Sequence, residues 1–76
     1  MTTVADKIDT RGMSCPLPIL KTRKAINLIA SGEILEVTAS DPGSVKDMDS
    51  FCKQTGNRLV SSNEVHHTYV FLIEKS

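Results

Sequence analysis

One cysteine in this chain stands where a thiol can react. Cys15 is followed by Pro16-Leu17-Pro18, at the point where a strand-like segment gives way to a helical one. Proline is tolerated in a first helical turn, where its missing N–H costs nothing. Cys15 is therefore expected at or just before a helix N-terminus, where the macrodipole favours negative charge. The thiolate is the form that attacks electrophiles and other sulfurs. A helix end contributes only about 0.3–1 kcal/mol at an exposed site, so mild activation is expected. Arg11 adds to it if its side chain turns inward. The prolines limit it: with Cys15 as the N-cap, Pro16 and Pro18 remove the first and third amides and leave Leu17 and Ile19 as donors. On spacing alone, a small buried hydrophobe that happens to precede a proline is an equal reading.

The other reactive residue types carry less. Cys52 falls on an apolar helical stripe with Val45 and Met48 and reads as a core thiol. His66 and His67 sit near a hairpin turn and receive no catalytic role. Two cysteines and two adjacent histidines do not make a zinc constellation, so no metal is expected. Asp41 reads as a helix cap. Lys21, Arg23 and Lys24 read as a solvated helix face or, beside a reactive thiol, as a surface for an acidic partner. Met13 either shields the sulfur from water or packs within its own loop.

The elements that must hold Cys15 follow from hydrophobic spacing. Residues 5–9 are expected as a first strand, with Ala5 and Ile8 as its apolar contributions, and 10–14 as a loop around Gly12. A first helix is expected over 16–30, its regular part starting a residue or two late because Leu17 precedes a proline. Ile19, Thr22, Ile26 and Ile29 share one face, Leu20 and Leu28 widen it, and Ser31-Gly32 stops it. Strand 34–39 places Leu35, Val37 and Ala39 on one face and Ile34, Glu36 and Thr38 on the other. Asp41-Pro42 opens a second helix lined by Val45, Met48, Cys52 and Thr55 and ended by Gly56. Residues 57–61 read as a third strand, with a turn near Asn63-Glu64. Strand 67–74 is apolar on both faces through Tyr69-Val70-Phe71-Leu72-Ile73, which suits an interior position.

The order is βαβαββ. Right-handed crossovers progressing the same way put both helices on one sheet face, giving a two-layer α/β sandwich. Both helix N-termini, and with them Cys15 and Asp41, then emerge at one edge of the sheet. The other face has no helix to cover it, and Ile34, Val70 and Leu72 offer apolar surface there to a partner or to a second copy of the chain.

Size and charge set bounds. Seventy-six residues make one domain with a thin core, burying roughly 60–65% of the unfolded surface. Nine basic and nine acidic residues cancel, which argues against binding nucleic acid or anionic membrane by bulk charge. No apolar run approaches the roughly 18–20 residues of a membrane span. The stretch Met1–Asp6 is polar and unlike a signal peptide. Cytoplasmic residence is the expectation, and a Cys15–Cys52 disulfide would be unusual there.

The run Asp9-Thr10-Arg11-Gly12-Met13-Ser14-Cys15-Pro16-Leu17-Pro18, with Asp41-Pro42 before a second helix, resembles the TusA/SirA-like sulfur carriers. The likeness extends from about Ile8 to Lys75. It implies a mixed four-stranded sheet of order 1-2-4-3 with strand four antiparallel. It also implies that Cys15, supported by Gly12, Pro16 and Pro18, carries sulfane sulfur as a persulfide with no cofactor. Leu20, Arg23 and Asp41 match the family's partner surface. The donors implied are a cysteine desulfurase or a rhodanese, and the acceptor is a TusD/DsrE-like protein. The pathways are tRNA 2-thiouridine synthesis, dissimilatory sulfur oxidation or molybdenum-cofactor synthesis. No direct nucleic-acid or membrane contact is implied, and the chain is expected as a monomer or weak homodimer. Two other classes remain open: a thiol redox protein in which Cys52 must reach Cys15, and a regulatory interaction domain that does not need Cys15.

Overall fold

A computed structural model describes residues 4–76. Met1 to Thr3, part of the polar stretch at the start of the chain, lie outside the described residues. The elements are β1 (Val4–Asp9), α1 (Leu17–Ile26), β2 (Ile34–Ala39), α2 (Ser44–Thr55), β3 (Arg58–Val65) and β4 (Thr68–Glu74). The sheet order is β1-β2-β4-β3. Strand β1 runs parallel to β2, while β4 is antiparallel to both its neighbours. The expected topology is present, and it explains the two-sided apolar character of β4. That strand lies inside the sheet, with Tyr69, Phe71 and Ile73 buried and Val70 and Leu72 half-buried.

The core forms between one sheet face and the two helices. Leu35, Val37, Ala39, Tyr69, Phe71 and Ile73 supply the sheet side, and Ala25, Ile26, Ile29, Met48, Phe51 and Cys52 supply the other. Register accounts for this: Leu35 pairs with Ile73, Val37 with Phe71 and Ala39 with Tyr69, so the pairs point the same way. Ile8 and Leu59 pack against the margins of this core.

Several expectations are corrected. Helix α1 ends at Ile26, four residues before Ala30. Its last turn tightens, Leu28 N donating to Ala25 O at 3.0 Å, and the following turn is tied to the chain end. Lys75 Nζ donates to Ile29 O at 2.7 Å and Gly32 N to Lys75 O at 2.8 Å. Gly32 has φ +85°, which suits the turn it ends. Leu20 and Leu28 do not widen the buried stripe; they are 54% and 76% exposed. Ala5, expected as an apolar contribution of β1, is exposed on an edge strand.

In α2 the buried side chains are Ser44, Met48, Phe51 and Cys52. Val45 and Thr55 are exposed, because the stripe is rotated toward Phe51. Gly56, at φ +78°, ends the helix in the left-handed conformation. Strand β3 continues through Asn63-Glu64 to Val65, so the turn falls at His66-His67 instead. The polar run that suggested a turn is an edge strand facing water, a usual way to blunt a sheet edge. Both histidines have positive φ, 49° and 63°, which makes the two-residue loop a type I′ hairpin turn.

Candidate functional site

The loop carrying Cys15 is fastened to β2 before it reaches the cysteine. Thr10 is fully buried, and both its N–H (2.7 Å) and its hydroxyl (2.8 Å) donate to Thr38 O. Met13 N returns to Thr10 O at 3.1 Å, closing a turn with Gly12 at φ +82°. A Cβ on Gly12 would meet open space, so glycine is needed there for its backbone conformation. Gly12 N also donates to Ser40 Oγ at 2.8 Å.

The next turn places the thiol. Leu17 N donates to Ser14 O at 3.0 Å, and the Cys15–Pro16 peptide within that turn is cis. Pro16 is the N-cap of α1, Leu17 the first helical residue and Pro18 the second. The helix begins one residue after Pro16, and Leu17 is helical although it precedes a proline. Cys15 itself is exposed, and its N–H donates to Asp41 Oδ2 at 3.2 Å. Asp41 is not the cap of α2; that position is Gly43. Its Oδ1 accepts Gly43 N–H at 3.0 Å, and its carbonyl accepts the N–H (2.9 Å) and hydroxyl (2.6 Å) of Ser44. One aspartate thus ties the cysteine loop to the start of α2 at the carboxyl ends of β1 and β2.

Cys15 opens on a shallow groove of about 190 Å³ between the helices, lined also by Pro16, Ile19, Arg23, Asp47, Ser50, Phe51 and Gln54. Phe51 is buried and forms the floor, with the Arg23 guanidinium 5.9 Å from its ring centroid. A second hollow, of about 330 Å³, continues past Arg23 and Phe51 toward Lys75 and Ser76. Of the residues matched to a partner surface, Arg23 lines the groove and Asp41 holds the Cys15 backbone. Leu20 faces outward from α1, away from the groove. Asp47, Ser50, Phe51 and Gln54 were not singled out by sequence reasoning. Their spacing of three and four residues along α2 was the available signal, hidden beside the stripe read from Val45 and Cys52.

Electrostatics overturn the expected activation. The Cys15 thiol is pushed up from its ordinary range, chiefly by the Asp47 carboxylate, which favours the protonated sulfur. Partial desolvation and the charges of Asp47 and Asp41 add to this. Arg11 does not turn inward: its Nε and Nη2 donate to Asp9 at 3.0 and 2.8 Å. That pairing, with the Arg11 backbone N–H, holds the Asp9 carboxyl down at about 2. The Leu17 amide, counted as a possible donor to sulfur, is taken by Ser14.

Cys52 differs in kind. It is buried in the core, where burial and the Asp49 charge push its thiol up to about 11. Both cysteines are free, one exposed and one enclosed. A redox pairing therefore lacks a second thiol at the surface. Among the described residues no three His, Cys, Asp or Glu side chains converge on a metal site.

The profile of the family described as Sulfurtransferase TusA matches residues 6–75. The chain belongs to the TusA family. The sulfur carrier protein TusA of Allochromatium vinosum is 53% identical over 70 residues, which cover 92% of each chain. A relative in Halobacterium salinarum is 40% identical over 74 residues, covering 96% of this chain and 91% of the relative. The crystal structure of a SirA-like protein from Desulfitobacterium hafniense superposes with a TM-score of 0.81 at 18% identity, covering 91% of this chain and 95% of that one. At that identity the likeness speaks to the fold. The βαβαββ arrangement is shared with that SirA-like protein.

Proposed function

We propose that this protein is a sulfur carrier that accepts sulfane sulfur on Cys15 as a persulfide and passes it to an acceptor protein. The observation that carries this reading is the exposed, unpaired thiol of Cys15, held by its own backbone amide at the sheet edge, while the second thiol is enclosed. Family membership and the Allochromatium carrier support it. The thiolate Sγ of Cys15 attacks the outer sulfur of a donor persulfide. A new S–S bond forms, the donor's S–S bond breaks, and its electron pair leaves with the donor thiolate. An acceptor thiolate then attacks the outer sulfur on Cys15, and Cys15 leaves as thiolate. Both steps are sulfur-to-sulfur displacements governed by thiolate fraction and leaving-group acidity. They call for no metal, nucleotide or organic cofactor.

A cysteine desulfurase or a rhodanese fits as donor, and a TusD/DsrE-like protein fits as acceptor, in tRNA thiolation or sulfur oxidation. Arg23, seated on Phe51 beside the thiol, is the groove's own cation and offers such partners a charged contact. The cytoplasm suits a carrier that must keep Cys15 reduced between turnovers.

The test is intact-mass spectrometry after incubation with a cysteine desulfurase and cysteine, or with a rhodanese and thiosulfate. The expected result is a gain of one sulfur atom that Cys15→Ser loses. No gain with either donor, or a gain that survives Cys15→Ser, overturns the proposal.

A further inference from the structure

Three charged side chains surround Cys15. Asp47 lines its groove from α2, Asp41 binds its amide from the β2–α2 turn, and Arg23 lines the groove from α1. Their partners differ. Asp41 spends both carboxylate oxygens on backbone amides. Arg23 rests over the Phe51 ring. Asp47 is half-buried and makes no ion pair among the described residues. Of the nearby basic groups, Arg11 is closed on Asp9, Lys53 pairs with Asp49, Lys21 and Lys24 line a separate hollow, and Lys46, beside Asp47 on α2, is exposed and lines no part of the groove. The helix end has few amides to offer, since Pro18 has no amide proton and the Leu17 amide is bonded to Ser14, which leaves that of Ile19.

We propose that Asp47 is a positioning residue of the sulfur site, whose unpaired carboxylate keeps the proton on Cys15 in the free protein until a cation presented by the docking partner pairs with Asp47 and releases that proton to solvent. This rests on the carrier reading for its purpose: an unengaged carrier stays a thiol, slow to oxidise or pick up sulfur from the wrong source, and becomes a nucleophile when a basic partner side chain enters the groove. The raised thiol described above agrees with the geometry. Ser50 marks where such a cation would sit, three residues beyond Asp47 on the same helix and lining the same groove.

The experiment measures the rate of Cys15 alkylation by iodoacetamide against pH. It uses the wild-type chain, Asp47→Asn, Asp47→Glu and Ser50→Lys, with the fold of each checked by circular dichroism. Asp47→Asn and Ser50→Lys are expected to move the midpoint to lower pH and to alkylate severalfold faster at neutral pH. Asp47→Glu is expected to keep the wild-type profile. A purely structural role for Asp47 in the first turn of α2 would change stability and leave the midpoint in place. Unmoved midpoints in both Asp47→Asn and Ser50→Lys overturn the proposal, as does Asp47→Glu behaving like Asp47→Asn. No sulfur is involved in the alkylation. A failure of persulfide loading and a failure of this inference are therefore read separately.

Discussion

Replacing Asp41 with alanine removes a side chain that joins the cysteine loop to the turn opening α2. Two hydrogen bonds are lost, from the amides of Cys15 (3.2 Å) and Gly43 (3.0 Å). Both are open to solvent, so water replaces the carboxylate and each bond counts near the low end of its range, about 0.5–1 kcal/mol. The pair therefore contributes about 1–2 kcal/mol, and Asp41→Asn, which keeps one carbonyl oxygen, loses about half of it. In a chain of this size about 1 kcal/mol moves the thermal midpoint by about 4–8 °C, so Asp41→Ala should unfold about 4–16 °C lower. Thermal melts and urea titrations measure that loss. Amide hydrogen exchange locates it, with Cys15 and Gly43 losing protection while the β2–β4 amides keep theirs. Wild-type stability in Asp41→Ala, with Cys15 protection unchanged, would refute the claim that this carboxylate holds the site.

Three further predictions concern other groups. Iodoacetamide should label one cysteine in the native protein and two in denaturant, because Cys52 is enclosed and its thiol is pushed up to about 11; two native labels would contradict this. Asp9 has a folded value of about 2 against an ordinary 3.8. Its pairing with Arg11 therefore stabilises the fold above the higher value, and that contribution is lost as pH falls through the lower one. The urea-midpoint difference between wild type and Asp9→Asn should be full near about pH 5, shrink at lower pH and shrink with salt, since both side chains are exposed; a difference independent of pH would contradict it. The double change His66→Asn, His67→Gly should stabilise the chain by about 1 kcal/mol, because both histidines hold positive φ in a turn that favours Asn-Gly; a thermal melt with no rise would count against that reading.

The fold was legible wherever apolar spacing was strong and uninterrupted. Alternation in Leu35-Val37-Ala39 gave β2 its buried face, and the two-sided run Tyr69–Ile73 gave β4 its interior place. Misreadings came where a local signal competed with tertiary contacts. Leu28 suits a helix by type, yet the chain leaves α1 two residues earlier, because the turn that follows is tied to Lys75, a partner far away in sequence. Asn63-Glu64 carries turn residues, yet pairing with β4 makes it strand. The site divides in the same way. The position of Cys15 at the start of α1 followed from its prolines, and its nearness to Asp41 followed from topology. Its acidic neighbour could not be read, because Asp47 meets the thiol only once α1 and α2 pack side by side. The helix-end field alone therefore gave the wrong sign for the thiol.

The central claim is that one exposed sulfur takes up a second. Peptide mapping of the loaded, alkylation-trapped protein tests it most directly. The account predicts the extra sulfur on the peptide containing Cys15, none on the peptide containing Cys52, and its loss with recovery of free Cys15 on adding an acceptor thiol. Sulfur found on Cys52, or a loaded protein with no covalent sulfur on either cysteine, would contradict it.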